Sequence, residues 1–328
     1  MEPLLQVRNL HVQYRTFDGL LKVLNGVELA IAEAERVSLV GETGCGKTTT
    51  IKSILQVLPK PPAEISAGEI LYRGKDILRM RPREIQALRR GEISAIFQDP
   101  LSALNPVFTV GYQLRDILRQ LRRGKSRAER SRSTIRDRTV SVLRETGMPD
   151  PERILTNYPI QLSGGMRQRV CISEAFSTAA RLLLADEPTT NLDVTIQDQI
   201  LRRLDELVQK TGTSFLLISH SLGVVRNVTD RVYIMYAGNI VEEARTKELF
   251  ARPQHPYTVA LLRTVPKLTG EGVSRGIPGR IPNYLNPPAG CRFHPRCDRV
   301  MPVCSQRRPP FFKTGDGHNV ACFLWERG

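Results

Sequence analysis

The chain has 328 residues, of which 48 are Lys or Arg and 33 Asp or Glu, for a formal charge of +15. That length holds one large α/β domain with attachments, or two domains, and 41% hydrophobic with 25% charged residues excludes a disordered tail. The charge first suggests nucleic acid, yet residues 115–153 carry twelve basic against six acidic residues and 271–328 nine against four, leaving only +4 for the other 231 residues.

Met1-Glu2-Pro3 opens no signal peptide, and no run reaches the roughly 18 apolar residues of a spanning helix, so a cytosolic protein is expected. Six cysteines there favour thiols or metal ligands over disulfides. An alternating strand, Val7 to Val12, leads into Tyr14 and Phe17. An apolar strand, Arg36 to Val40, then meets Gly41-Glu42-Thr43-Gly44-Cys45-Gly46-Lys47-Thr48, with Thr49 following and a helix expected over 48–58. This is the complete P-loop pattern between a strand and a helix. Its glycines let backbone N–H groups converge on phosphate, Lys47 reaches the β and γ phosphates, and the Thr48 hydroxyl holds Mg²⁺. Cys45 reads as a small filler, since nothing nearby supplies a base.

A second apolar strand, Ile93 to Phe97, ends at Gln98, just before Asp99-Pro100, where the X-Pro bond enforces a loop. Beyond it, Val110, Leu114, Ile117, Leu118 and Leu121 keep helical spacing, as do Val140 and Leu143 after an arginine-rich stretch. Arginines 119, 122, 123, 127 and 130 read as a nucleic-acid stripe, as a solvated helix face, which is the commoner case, or as a surface drawn to anionic headgroups. No aromatic interleaves them, against single-strand binding.

Leu162-Ser163-Gly164-Gly165-Met166-Arg167-Gln168-Arg169 follows, with Ser163 to Gly165 opening a helix as a second anion cradle. Leu182-Leu183-Leu184-Ala185-Asp186-Glu187 reads as a buried parallel strand ending in two carboxylates. Paired with the P-loop, Asp186 serves Mg²⁺ and Glu187 acts as general base on the attacking water. Asn191-Leu192-Asp193 comes next, and His220 ends a strand over Phe215 to Ser219. From His255-Pro256-Tyr257-Thr258 onward the composition turns to Pro and Gly. Cys291, Cys297, Cys304 and Cys322 crowd the end, spaced too widely for the C-x2-C pairs of zinc ribbons.

The Leu-Ser-Gly-Gly run resembles the signature of the ATP-binding cassette family. Gln98 then fits its glutamine loop, Asn191-Leu192-Asp193 its D-loop, His220 its switch histidine and Tyr14, ahead of Phe17, its adenine-stacking aromatic. The resemblance implies that Gln98 reaches Mg²⁺, that His220 holds the γ-phosphate and water with Glu187, and that Ser163, Gly164, Gly165 and Asp193 serve ATP bound by an opposite cassette. Two departures, Asn191 for Ala and Ser221 for Asp, remove no phosphate or Mg²⁺ ligand, so a competent half-site is expected. The Pro-Tyr-Thr segment, Met166, Thr189-Thr190 and the cysteine-bearing end resemble the oligopeptide/dipeptide/nickel importer ATPases. Members of that subfamily carry a [4Fe–4S] cluster, which the resemblance implies for Cys291, Cys297, Cys304 and Cys322. Zn²⁺ and four buried free thiols are the other readings.

The expected fold is α/β: a P-loop NTPase ABC cassette with a RecA-like core, an antiparallel β subdomain, a helical subdomain and a Cys-rich C-terminal extension. Residues 1–98 and 161–254 would form the ATP-binding core with its β subdomain, 99–160 the permease-contacting helical subdomain, and 255–328 the extension with its four-Cys motif. The resemblance implies an ATPase, using ATP and Mg²⁺, that powers import of peptides, nickel or related solutes. Its partners would be two permease subunits, a second cassette identical or related, and an extracytoplasmic solute-binding protein. It would be peripheral on the cytoplasmic membrane face, with no nucleic acid expected. The alternatives are a soluble ABC ATPase acting on nucleic acid or ribosomes, and a cluster-regulated signalling ATPase.

Overall fold

The computed structural model describes residues 2–121, 126, 131–190, 192–264 and 276–326. Asn191 and arginines 122, 123, 127 and 130 lie outside the described residues. In chain order the elements are β1 (Leu5–Thr16), β2 (Gly19–Ile31), β3 (Arg36–Val40), α1 (Lys47–Ile54), β4 (Ala63–Tyr72), β5 (Lys75–Asp76), α2 (Pro82–Gly91), β6 (Ile93–Ile96), α3 (Pro100–Ala103), α4 (Val110–Leu121), α5 (Arg132–Glu145) and α6 (Pro151–Ile154). Then come α7 (Gly164–Ser177), β7 (Leu182–Asp186), α8 (Val194–Thr211), β8 (Ser214–Ile218), α9 (Leu222–Val228), β9 (Arg231–Tyr236), β10 (Asn239–Arg245), α10 (Thr246–Ala251), α11 (Pro256–Arg263), β11 (Phe312–Gly315) and β12 (His318–Val320). They form two compact units: Met1–Arg79 with Leu217–Gly328, and Met80–Leu216.

In the first unit, β1 pairs antiparallel with β2 and β4 in the order β2-β1-β4-β5. Leu5 and Val7 face the core, and so do Leu10 and Val12, although the step from 7 to 10 breaks the two-residue period. A bulge restores it: Asn9 takes φ 44 and the register shifts between Val7 and Leu10. This is the expected antiparallel subdomain. The same unit holds β11-β12-β10-β9-β3, in which β3 and β9 are parallel and the other pairs antiparallel. Ala237 and Gly238, both at positive φ, close the β9–β10 hairpin in the two-residue form that matches strand twist.

Residues 276–326 pack on this unit. Phe293 is buried with Tyr236 and Tyr257, its ring edge-on to Tyr236 at 5.0 Å, and Ile277, Tyr284, Cys291 and Cys297 lie against the same core. Beneath them Glu242 is wholly buried, accepting from the N–H groups of Gln254 and His255, each at 2.9 Å, and facing His318 Nε2 at 2.7 Å. His255 in turn caps α11, its Nδ1 accepting from the Tyr257 N–H at 3.0 Å.

In the second unit β6 and β7 are parallel, Ile93 opposite Leu182 and Ile96 opposite Ala185. All of β7 is buried, which explains its unbroken apolar run. Helices α4, α5 and α7 close a core containing Val110, Leu114, Leu143 and Val170. The helical spacing read over 110–121 therefore divides by role: Val110, Leu114 and Leu118 are buried, Ile117 and Leu121 half-buried, and Arg119 exposed. β8 carries the chain back to the first unit.

Burial lowers the His255 pKa to about 4, with Glu242 opposing. A neutral buried imidazole stabilises the fold fully above its ordinary value of 6.5, and that contribution is lost as pH falls towards 4. Thermal melts should therefore fall across this window, and fall less in His255→Asn, which keeps a capping acceptor without the titrating ring.

Candidate active site

β3 delivers the phosphate-binding loop from a buried strand. Gly44 and Gly46 sit at φ 84 and φ 111, where only glycine is at ease, and a Cβ on Gly46 would lie 2.7 Å from Leu24 Cδ2. A Cβ on Gly41 would lie 2.1 Å from the Met235 carbonyl oxygen, so the loop lies directly against β9. Lys47 is buried and folds over its own loop, Nζ donating to the carbonyls of Gly41 at 2.8 Å and Glu42 at 3.0 Å. Thr50 ties α1 to the Gly46 carbonyl at 3.1 Å, while Thr48 and Thr49 are half-buried. Burial raises the pKa of the Cys45 thiol despite Lys47, which fits a filler and not a nucleophile.

Three side chains from the C-terminal part also hold this loop. The Tyr257 hydroxyl accepts from the Glu42 N–H at 2.9 Å, the Tyr284 hydroxyl donates to the Gly44 carbonyl at 2.7 Å, and Arg296 grips the Glu42 carboxylate at 2.8 and 3.1 Å. The sequence marked Tyr257 only as part of a motif and gave no sign of Tyr284 or Arg296, which lie more than 200 residues from the loop. Tyr14, on β1, is half-buried and paired with Leu21 and Ala63, whereas Phe17 is fully exposed at the hairpin tip. His220 is exposed just beyond β8.

In the second unit Asp186 is buried at the end of β7, and Glu187 follows in left-handed backbone at φ 47. A non-glycine residue held there is strained, and such strain gathers at functional positions. Its carboxylate accepts from Thr190 Oγ1 at 3.0 Å and from Gln98 Nε2 at 3.3 Å. Gln98 reaches it because parallel pairing brings the carboxyl ends of β6 and β7 side by side.

Ser163 caps α7, Oγ accepting from the Met166 N–H at 3.3 Å. A Cβ on Gly164 would lie 3.1 Å from Leu192 Cδ2 and one on Gly165 2.9 Å from Ile196 Cγ2, so both glycines sit in close contact with side chains at the start of α8 and just before it. Ser163, Gly164, Gly165, Arg169, Leu192 and Asp193 line a cavity of about 800 Å³. The structure therefore unites the signature with Asp193. A separate groove of about 540 Å³ is lined by Arg89, Phe97, Ile117, Cys171 and Glu174, among others.

The four late cysteines lie near one another: the Cys291 N–H donates to the Cys304 carbonyl at 2.8 Å, and Cys291, Cys297 and Cys322 each sense the charge of Cys304. Burial first, then these neighbours, push Cys291 and Cys322 up to about 11. Among the described residues no group of three or more His, Cys, Asp or Glu is arranged to hold a metal ion. The expected four-cysteine ligand set is thus not gathered in this structure: burial favours neutral thiols, and Cys291 and Cys297 pack as apolar side chains against Phe293 and its neighbours.

Comparison with known proteins places the chain in a family. The ABC transporter family model matches residues 24–190, and the oligopeptide/dipeptide transporter C-terminal region matches 241–304. The chain is 44% identical to the dipeptide transport ATP-binding protein DppD of Bacillus subtilis, over 100% of this chain and 96% of that one. It is 42% identical to the oligopeptide transport ATP-binding protein OppD of the same organism, over 98% and 88%. Among solved structures, the dimeric post-hydrolysis state of the ATP-binding cassette MJ0796 bound to ADP and Pi superposes with a TM-score of 0.65 at 26% identity, over 74% of this chain and 98% of that one. The fold is that of an ABC-cassette P-loop ATPase. The chain belongs to the ATP-binding subunits of the oligopeptide/dipeptide ABC transporter family.

Glu174, half-buried in the groove wall, has its pKa raised by burial to about 7. Its contribution to stability is present below its ordinary 4.5 and lost as pH rises through about 7. Between pH 6 and 8 the melting temperature should therefore decline more steeply in the native chain than in Glu174→Gln, as followed by calorimetry.

Proposed function

We propose that this subunit hydrolyses ATP with Mg²⁺ to drive import of peptides through a separate membrane permease. The observation that carries the catalytic part is Glu187, strained at φ 47 and oriented by Thr190 and Gln98. In this reading the loop's N–H groups between Thr43 and Gly46 cradle the phosphates, that of Glu42 being held by Tyr257, and Lys47 turns from its loop carbonyls to the β and γ oxygens. Thr48, Gln98 and Asp186 hold Mg²⁺, which neutralises charge on the phosphates when bound. Glu187 takes the proton from the attacking water, His220 steadies that water against the γ-phosphate, and Thr49 and Tyr14 contact the nucleotide. The cradle of Ser163, Gly164 and Gly165, with Asp193 beside it, serves ATP held by a second cassette, identical or related.

No described helix is long and apolar enough to cross a membrane. In this reading the permease is supplied by other chains, two subunits with a solute-binding protein outside, and the ATPase sits on the cytoplasmic membrane face. The groove at Phe97, Ile117 and Glu174 begins one residue before Gln98, which suits a permease segment that reports to the catalytic carboxylate. Peptide cargo is supported by the C-terminal family match and by full-length relatives named for dipeptide and oligopeptide transport. We propose in addition that Cys291, Cys297, Cys304 and Cys322 hold a [4Fe–4S] cluster in preference to Zn²⁺. The placing of four thiols near one another within residues 291–322 supports this, since such a cluster would be held by four cysteine sulfurs.

Two measurements check these assignments. Glu187→Gln should lower ATPase turnover by about 10²-fold or more while ATP binding persists, and unchanged turnover would remove the base assignment. Anaerobically purified protein should contain about four iron per chain with thiolate-to-iron absorbance, and metal-free protein would leave the thiols as packing groups.

A further inference from the structure

A carboxylate is an unwelcome neighbour for phosphate, yet the phosphate-binding loop carries one at Glu42. The structure compensates from the far end of the chain. Arg296, with a side chain only 5% exposed, makes a two-pronged ion pair with Glu42. Its remaining N–H groups are taken up as well: Nε by the Pro278 carbonyl at 2.7 Å, Nη1 by the Tyr236 hydroxyl at 3.3 Å and Nη2 by the Ile277 carbonyl at 3.1 Å. With both prongs on Glu42, all five guanidinium donors have acceptors.

The same segment touches the loop again. Tyr284 donates to the Gly44 carbonyl, and its ring lies under Arg292, which donates to the carbonyls of Ala237 and Lys22. Tyr257 takes the Glu42 N–H, so that this N–H is fixed by a side chain and not by phosphate. Cys291 and Cys297 are the immediate neighbours of Arg292 and Arg296.

We propose that the C-terminal segment is a strap that sets the charge and shape of the phosphate-binding loop, with Arg296 as the positioning residue that neutralises Glu42. The inference takes ATP binding at this loop as given, and adds that its affinity is governed from Tyr257, Tyr284 and Arg296. Arg296 acts through Glu42 and touches no reacting atom. An empty Arg296 position leaves an uncompensated negative charge in the loop that must receive phosphate, so ATP binding weakens while the chemistry after binding is little changed.

The test is a double-mutant cycle on the full-length chain, read by equilibrium titration with a fluorescent ATP analogue and by steady-state ATPase kinetics. Arg296→Ala should weaken nucleotide binding about tenfold, within the usual range of coupling between sites, raising KM with kcat held within about twofold. Glu42→Gln in the Arg296→Ala background should restore affinity to within about threefold of the native chain, because the charge is gone. Tyr284→Phe should weaken binding less and leave the charge cycle intact. Native affinity in folded Arg296→Ala, or a double variant as weak as Arg296→Ala alone, overturns the proposal. Should Arg296→Ala fail to fold, Arg296→Gln and Glu42→Gln/Arg296→Gln replace it in the cycle, and native affinity in the first or no recovery in the second overturns the proposal equally. Failure of the native chain to bind the analogue would instead count against the ATPase reading.

Discussion

A loop that binds phosphate through backbone N–H groups must leave those groups bare, and so cannot hold itself together as ordinary loops do. Side chains that would brace it are excluded by the approach of the ligand, and its glycines at φ 84 and φ 111 carry the largest entropic cost of being ordered. The order has to come from outside. β3 supplies the entry as a buried strand beside β9, α1 the exit, and the β9–β10 turn an N–H from Gly238 to the Cys45 carbonyl at 2.8 Å. The C-terminal segment supplies the rest through Tyr257, Tyr284 and Arg296.

The second unit solves a different problem. Every residue of β7 through Asp186 is buried, and the chain leaves the strand's direction at the next residue. Asp186 keeps the strand's direction, while Glu187 breaks it by entering the left-handed region, with Thr190 and Gln98 fixing the carboxylate after the break. At the signature the solution is size. Gly164 and Gly165 leave room for Leu192 and Ile196 to lie close against the start of α7, and the cap of Ser163 and the start of α8 share one cavity.

Features of the chain that depend on local sequence were legible without coordinates. The P-loop, the buried strand ending in Asp186-Glu187 and the Ser163 cap each obey a rule spanning a few residues. The first strand was legible as alternation over Val7 to Val12, apart from the bulge at Asn9, whereas its antiparallel partners were expected from the resemblance. Contacts closing across more than 200 residues were not, because nothing near Arg296 differs from any exposed arginine in a proline-rich segment. The cysteines are the converse case. Four thiols crowded at one end suggest a ligand set from composition alone, whereas Cys291 and Cys297 pack against an apolar core, and no metal-holding group forms among the described residues.

The net charge takes a different meaning on the same grounds. The basic excess of residues 271–328 suggested a surface for an anionic partner, yet three of its arginines face inward: Arg292 to the Ala237 and Lys22 carbonyls, Arg296 to Glu42, and Arg308 to the Gly26 carbonyl at 3.0 Å. Burial lowers the pKa of Arg292 to about 10 and also lowers that of Arg308. Guanidinium suits this use because it remains charged when half-buried and offers a planar fork to several acceptors at once. Arg296 differs from the other two in making a two-pronged ion pair with a carboxylate of a loop, Glu42. A segment with too few apolar residues for a large core of its own is thus anchored by arginine to the unit it belongs to, and its one anchor of the three on a carboxylate lies on the Gly41–Thr48 loop.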